Sequence, residues 1–197
     1  IQNEWQTILN VEIAACEAMA ELGEIPAAAV QNIKANAKFD VARINEIEKT
    51  TDHDIIAFLT NLEENVGEDS KYIHKGLTSS DVKDTAYCVM MRDAAGIILD
   101  DLRAFREVLR RRAEEFRHTP CIGRTHGIHA EPMTFGLKLL LWSAEIERDI
   151  ERLTRAKEIV SVGKLSGAVG TYSNIDPRIE ELTCKKLGIT PVRLATQ

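Results

Sequence analysis

The sequence predicts an all-α fold: a small helical N-terminal domain over residues 1–75, then long antiparallel helices of a central bundle over residues 76–197. Three observations predict it. Apolar residues recur every three or four positions from one end of the chain to the other. No segment of the first half alternates apolar and polar residues between turn signals, as a half-buried strand would. Beyond residue 75 the periodic stretches become much longer, as in the helices of a bundle.

Each element follows from its own residues. Trp5, Ile8, Leu9, Ile13, Cys16 and Met19 mark a helix over about residues 2–22, and Gly23 suits its left-handed stop. Pro26 opens a second helix running to about Ala37, and Asp40 caps a short third. A fourth begins near Thr51 or Asp52, buries Ile55, Ile56, Phe58, Leu59 and Leu62, and ends at Gly67. Thr78-Ser79-Ser80-Asp81 has the form of a capping box. It opens a single pattern over residues 79–118 that runs from Val82 through Ile97 and Phe105 to Phe116, about 60 Å if unbroken. Gly96 within it suggests close packing or a slight bend. Thr119-Pro120 breaks the pattern, a polar loop follows, and Pro132 suits the first position of a second long helix reaching about Val162. The apolar stripe of that helix includes Phe135, Leu139, Trp142, Ile146 and Ile159. Two such helices joined by a loop of about a dozen residues pack antiparallel. Residues 163–170 form a glycine-rich loop, Asp176-Pro177 opens a last helix, and Gly188 stops it. A bundle this small leaves a large uncovered face, which implies further sequence or burial by other subunits.

Composition narrows the classes of function. Apolar residues make up 44% of the 197, enough for a substantial core, and the formal net charge is −6. No basic patch marks a nucleic-acid binder. No apolar run approaches the roughly 18 residues of a membrane span. Cys16, Cys88, Cys121 and Cys184 are scattered, form no CxxC pair, and follow no signal peptide, so a reduced, cytoplasmic chain is expected.

Chemistry is concentrated at the breaks between helices. His53, His74, His126 and His129 lie there, and His118 ends a charged helix, where its role is to face the helix C-terminus. Histidine suits proton transfer near neutral pH. His53, between Asp52 and Asp54, is either a cap or a ligand group. Cys121, His126 and His129 raise zinc as one reading, but the loop lacks a matched second pair and an HExxH helix. The other reading is a shaped loop, Gly123-Arg124-Thr125-His126-Gly127, with Arg124 beside an imidazole that donates a proton to a carboxylate-bearing substrate. Thr78-Ser79-Ser80 is a helix cap whose free N–H groups also suit a carboxylate or phosphate. The 163–170 loop would let backbone approach a ligand, yet it has neither the GxGxxG nor the GxxxxGK[ST] spacing of a nucleotide loop.

Taken in order, Thr78-Ser79-Ser80-Asp81, Gly123 to Pro132 and Gly163 to Tyr172 resemble the adenylosuccinate lyases of bacterial and archaeal type, within the fumarase, aspartase and argininosuccinate lyase superfamily. The likeness runs along the whole chain, includes Phe39-Asp40 and Glu46 to Lys49, and covers about the first half of such an enzyme. It implies an all-α homotetramer with active sites built from three subunits and no metal or organic cofactor. It also implies small-molecule substrates: adenylosuccinate, split to AMP and fumarate, and the succinylated aminoimidazole carboxamide ribotide (SAICAR). By the same resemblance His126 is the general acid, with Thr125 beside it. Thr78 and Ser79 bind a substrate carboxylate. Asp52, His53 and Asp54 form a substrate-binding triplet in which His53 helps position His126. His74 lies near the phosphate, and Gln197 contacts substrate. Two positions depart from the family pattern: Asp52 stands where Arg or Asn is common, and Lys75 where Tyr is common. The family's base, a serine in a Ser-Ser-x-Met-Pro-x-Lys-x-Asn-Pro segment, is not among these residues, nor is an N-terminal Arg-Tyr pair. The isolated chain is therefore expected to be inactive. A different superfamily lyase, such as argininosuccinate lyase or a cycloisomerase, and a non-catalytic helical assembly module are the competing expectations.

Overall fold

The computed structural model describes residues 1–196. Among them the chain forms seven α-helices and two small two-stranded sheets, so the all-α expectation holds. Contacts divide it into two compact units, residues 1–91 with 160–197, and residues 92–159. The boundary expected at residues 75–76 follows a change in helix length, whereas these boundaries fall within the two long helices.

The first unit is built on α1 (Gln2–Glu21), whose buried face carries Trp5, Ile8, Val11, Ala15 and Met19. Around it lie α2 (Ala27–Asn36), α3 (Val41–Thr51), α4 (Asp54–Val66) and a 3-10 turn over Gly67–Tyr72. Phe58 of α4 is fully buried, stacked on Trp5 at 5.0 Å and met edge-on by Phe39 at 6.0 Å. The same core takes Val82 and Ala86 from the first turns of α5 (Ser79–Glu115). It also takes Leu165, Ile175 and Ile179 from far along the chain, the last of these on α7 (Pro177–Leu187).

Where one side chain decides a helix end, the structure follows the sequence. Asp40 accepts the Arg43 amide at 3.0 Å, Asp176 accepts the Arg178 amide at 2.8 Å, and Gly188 turns left-handed after α7. The start of α4 falls later than expected. Asp52 is left-handed (φ 48°) and ends α3, and His53 is extended, so helical geometry resumes only at Asp54.

In the second unit the rest of α5 runs antiparallel to α6 (Phe135–Val160). Leu109, Ala113 and Leu139 form its core, and Arg106 pairs with Glu147 at 3.5 Å. Phe116 and Phe135 meet at 5.3 Å where the two helices turn back. The expected uncovered face is present in this unit, with Ile97 67% and Ile159 74% exposed. The segment between the helices differs from expectation. It is an antiparallel hairpin, β1 (Pro120–Thr125) and β2 (Ile128–Thr134), and Pro132 lies within β2 opposite Ile122 instead of opening the helix. Proline has no N–H to donate, which a two-stranded ribbon tolerates on an outer edge. Thr134 opens α6 in its place, its hydroxyl accepting the Leu137 amide at 3.2 Å.

The two helical glycines of this unit have different causes. A Cβ at Gly136 would stand 2.4 Å from the Ala113 carbonyl oxygen and 2.6 Å from the Arg117 Cα. At Gly96 the nearest atom is the flexible Lys157 ammonium at 3.2 Å, so close packing does not explain that glycine. Gly136→Ala should cost about 1–3 kcal/mol through overpacking. Gly96→Ala should stabilise by up to about 1 kcal/mol through helix propensity. Denaturant unfolding of the two variants should show opposite signs.

Candidate active site

The site begins with a buried carboxylate. Asp81, in the first turn of α5, is fully buried. It accepts the Thr78 amide at 3.0 Å, as the capping box requires, and also the Ser166 and Gly167 amides, each at 3.1 Å. The Lys164 ammonium adds a fourth donor at 3.3 Å. An ionised carboxylate is tolerable in such surroundings only when its lone pairs are filled.

The glycine-rich segment is held from two further sides. Thr85 of α5 accepts the Lys164 amide at 3.0 Å and donates to the Lys164 carbonyl at 2.9 Å. Glu180 of α7 accepts the Leu165 amide at 2.7 Å and the Tyr172 hydroxyl at 2.8 Å. The four consecutive amides of residues 164–167 are thus all engaged by protein side chains. A ligand cannot use them, which removes most of the backbone approach that the glycines suggest. Val162–Gly163 also pairs in parallel with Thr190–Pro191. The Ser166 and Thr183 hydroxyls are buried without a hydrogen-bond partner among the described residues, and nothing in the structure explains either.

Five of the expected site residues gather at this end of the first unit. Thr78 and Ser79 form the start of α5. Asp54 reaches the same helix through Lys83 at 2.5 Å. Partial burial raises the Asp54 carboxyl, but the Lys83 ammonium and the Ile55 amide hold it below the usual range. His53 caps α4, its Nδ1 accepting the Ile56 amide at 3.3 Å. In the neutral ring this places the proton on Nε2. His74, left-handed at φ 63°, is gripped by buried Glu12 of α1: Oε2 accepts its amide at 3.0 Å and Oε1 meets Nδ1 at 2.5 Å. Asp52 is exposed at the end of α3, and Gln197 lies outside the described residues.

Thr125 and His126 belong to the second unit. His126 and Gly127 occupy the hairpin tip with φ of 52° and 76°, between the paired Thr125 and Ile128. Two successive positive φ values are the mark of a type I′ turn. Thr125 and His126 are both exposed. Arg124 faces His129, its register partner, at 3.5 Å, and not His126 as the sequence suggests.

A family described as lyase matches residues 1–197. The chain belongs to the lyase family. An adenylosuccinate lyase from Synechocystis sp. is 54% identical over 98% of this chain and 44% of its own length. One from Bacillus subtilis is 50% identical over 100% of this chain and 46% of its own. The chain thus spans less than half the length of these curated relatives. A fumarate lyase from Mesorhizobium sp. BNC1 has the same fold at TM-score 0.91 and 29% identity, over 98% of this chain and 47% of that one. A β-carboxy-cis,cis-muconate cycloisomerase from Acinetobacter calcoaceticus sp. ADP1 matches at TM-score 0.91 and 28% identity, over 98% and 47%. The resemblance noted from sequence to one branch of the lyase family is therefore matched by its relatives. Asp52 also finds a physical reason within that family: its left-handed backbone is one that Asn and Asp tolerate better than most residues.

Sequence reasoning missed Glu12, Lys164 and Glu180. The one available signal was a carboxylate, Glu12, set among Val11, Ile13, Ala14 and Ala15 on a helix.

Asp81→Ala would strip the acceptor from two buried amides, a part-buried one and an ammonium. Removing one partner of a buried pair costs about 3–5 kcal/mol, so thermal or denaturant unfolding should show a loss of that order. The His74–Glu12 pair should carry pH dependence. Burial lowers the His74 pKa, but the Glu12 hydrogen bond and charge, with that of Asp81, outweigh it and leave it raised. Stability from a raised histidine is complete below its unfolded value and is lost as pH rises through the folded one. The stability difference between the native chain and His74→Gln should therefore shrink as pH climbs above the ordinary histidine range.

Proposed function

We propose that the protein to which this chain belongs eliminates fumarate from adenylosuccinate, giving AMP, and from SAICAR, giving the carboxamide ribotide. The observation that carries this reading is the exposed His126 at the hairpin tip, in a chain 54% and 50% identical to two adenylosuccinate lyases.

In this reading a base takes the proton from the carbon next to a substrate carboxylate. The electrons of that C–H bond form the C=C bond of fumarate, the C–N bond breaks, and its electron pair stays on nitrogen. His126 gives that nitrogen a proton, with Thr125 beside it. Thr78 and Ser79 hold a carboxylate at the start of α5, where free N–H groups and the positive end of the helix dipole favour an anion. His74 serves the phosphate, Asp52, His53 and Asp54 line the substrate, and Gln197 contacts it. The chemistry calls for no metal or organic cofactor. The family's serine base is not among these 197 residues, so the chain is assigned the acid and not the base, and by itself should not turn over substrate.

The reading extends to a homotetramer acting in the cytoplasm. Leu137, Leu140, Leu141 and Trp142 are 44–62% exposed on α6, the kind of apolar surface that a second copy covers. No helix among the described residues is long and apolar enough to cross a membrane.

In the full-length protein His126→Ala should lower fumarate release by about 10²–10⁴-fold, followed by absorbance with adenylosuccinate as substrate. Unchanged turnover would remove His126 from the acid role. Activity on argininosuccinate instead would overturn the choice of substrate.

A further inference from the structure

Glu12 is 1% exposed, in the middle of α1 and on its core face. Both of its oxygens are taken by one residue 62 positions away: Oε2 by the His74 amide and Oε1 by the His74 ring. An ionised carboxylate only accepts, so Nδ1 must carry the proton in this contact. The amide contact also pins a backbone that a residue with a side chain rarely adopts, φ 63°. No partner of Nε2 is recorded among the described residues, and the side chain keeps 14% of its surface open.

We propose that Glu12 is a positioning residue: it clamps His74 by the backbone and by Nδ1, so that Nε2 is the ring atom offered to an anionic ligand group, a phosphate monoester. This rests on the placement of His74 at the substrate phosphate. A hydrogen bond at one ring nitrogen decides the state of the other. With Nδ1 committed to a carboxylate, the cationic ring presents Nε2–H as a charge-assisted donor to phosphate oxygen. The groups facing the ring act in the same direction. From α1 this is Glu12, whose charge also helps push the Cys16 thiol, one turn on, up to about 12, burial being the larger cause. From α5 it is Asp81, itself paired with Lys164. Glu12 and Asp81 both favour the imidazolium, and the neutral Cys16 does not oppose it.

The test has two readouts, ¹⁵N-edited spectra of the His74 ring in this chain and calorimetric titration of the full-length protein with AMP. The neutral ring should be protonated at Nδ1. Glu12→Gln, which keeps the shape, should move the ring titration to lower pH and weaken AMP about tenfold near neutral pH, the size of one charge-assisted hydrogen bond. Glu12→Asp should restore part of both. A neutral ring protonated at Nε2 in the native chain overturns the proposal even if Glu12→Gln fails to fold. So does a Glu12→Gln variant with unchanged titration. A ring behaving as expected, with AMP bound by neither protein, overturns the phosphate half and with it the placement of His74, while the clamp itself stands.

Discussion

A single buried carboxylate holds the first unit's working end together. Asp81 sits where α5 begins, and its four donors come from the helix start and from the irregular 164–167 segment, which Thr85 and Glu180 also hold. Its amide contact with Thr78 sets the helix start. Its contacts with Ser166 and Gly167 draw in a glycine-rich strand of chain that has little side-chain surface to pack. The charge would be prohibitive to bury alone. Filled on every side, it makes one geometry of the loop cheaper than the alternatives. Glu12 and Glu180 do the same for the turn at His74 and for the loop at Leu165. In each case a carboxylate on a helix takes main-chain N–H groups from an irregular segment, so the loops are as defined as the helices beneath them.

Much of the helical frame was legible because each boundary depends on neighbours in sequence. Asp40 and Asp176 cap the helices that follow them, and Gly188 stops α7, all by contacts within a few residues. The hairpin was not legible, for two local reasons. His126-Gly127 fills a turn for which Asn-Gly is the familiar signal, and His is a less obvious occupant of the left-handed region. Pro132 carried a helix-start meaning that a ribbon edge allows equally well.

The candidate site divides the same way. Its contiguous parts, Thr78-Ser79 and Thr125-His126, could be read directly. Glu12, Lys164 and Glu180 could not, because each acts on a residue brought near by the fold. Glu12 and His74 are 62 positions apart, and Asp81 and Gly167 are 86 apart. The bare sequence shows a charge in an apolar stretch and does not show what it faces. Exposure is equally silent: the stripe containing Trp142 has the spacing of a core helix, yet the residue is 44% exposed.

That separation also orders the assembly of the chain. The core that α1 and α4 begin is completed by Leu165, Ile175 and Ile179, residues made long after residue 91. Closing so long a loop sacrifices chain entropy before any contact compensates for it. Until the 164–167 segment docks, Asp81 can keep its water, and the first turn of α5 stays hydrated. Residues 92–159 rely on contacts within themselves and need not wait. On a ribosome the first unit would therefore be started early and finished last, its final step the dehydration of a carboxylate made some 80 residues before its partners.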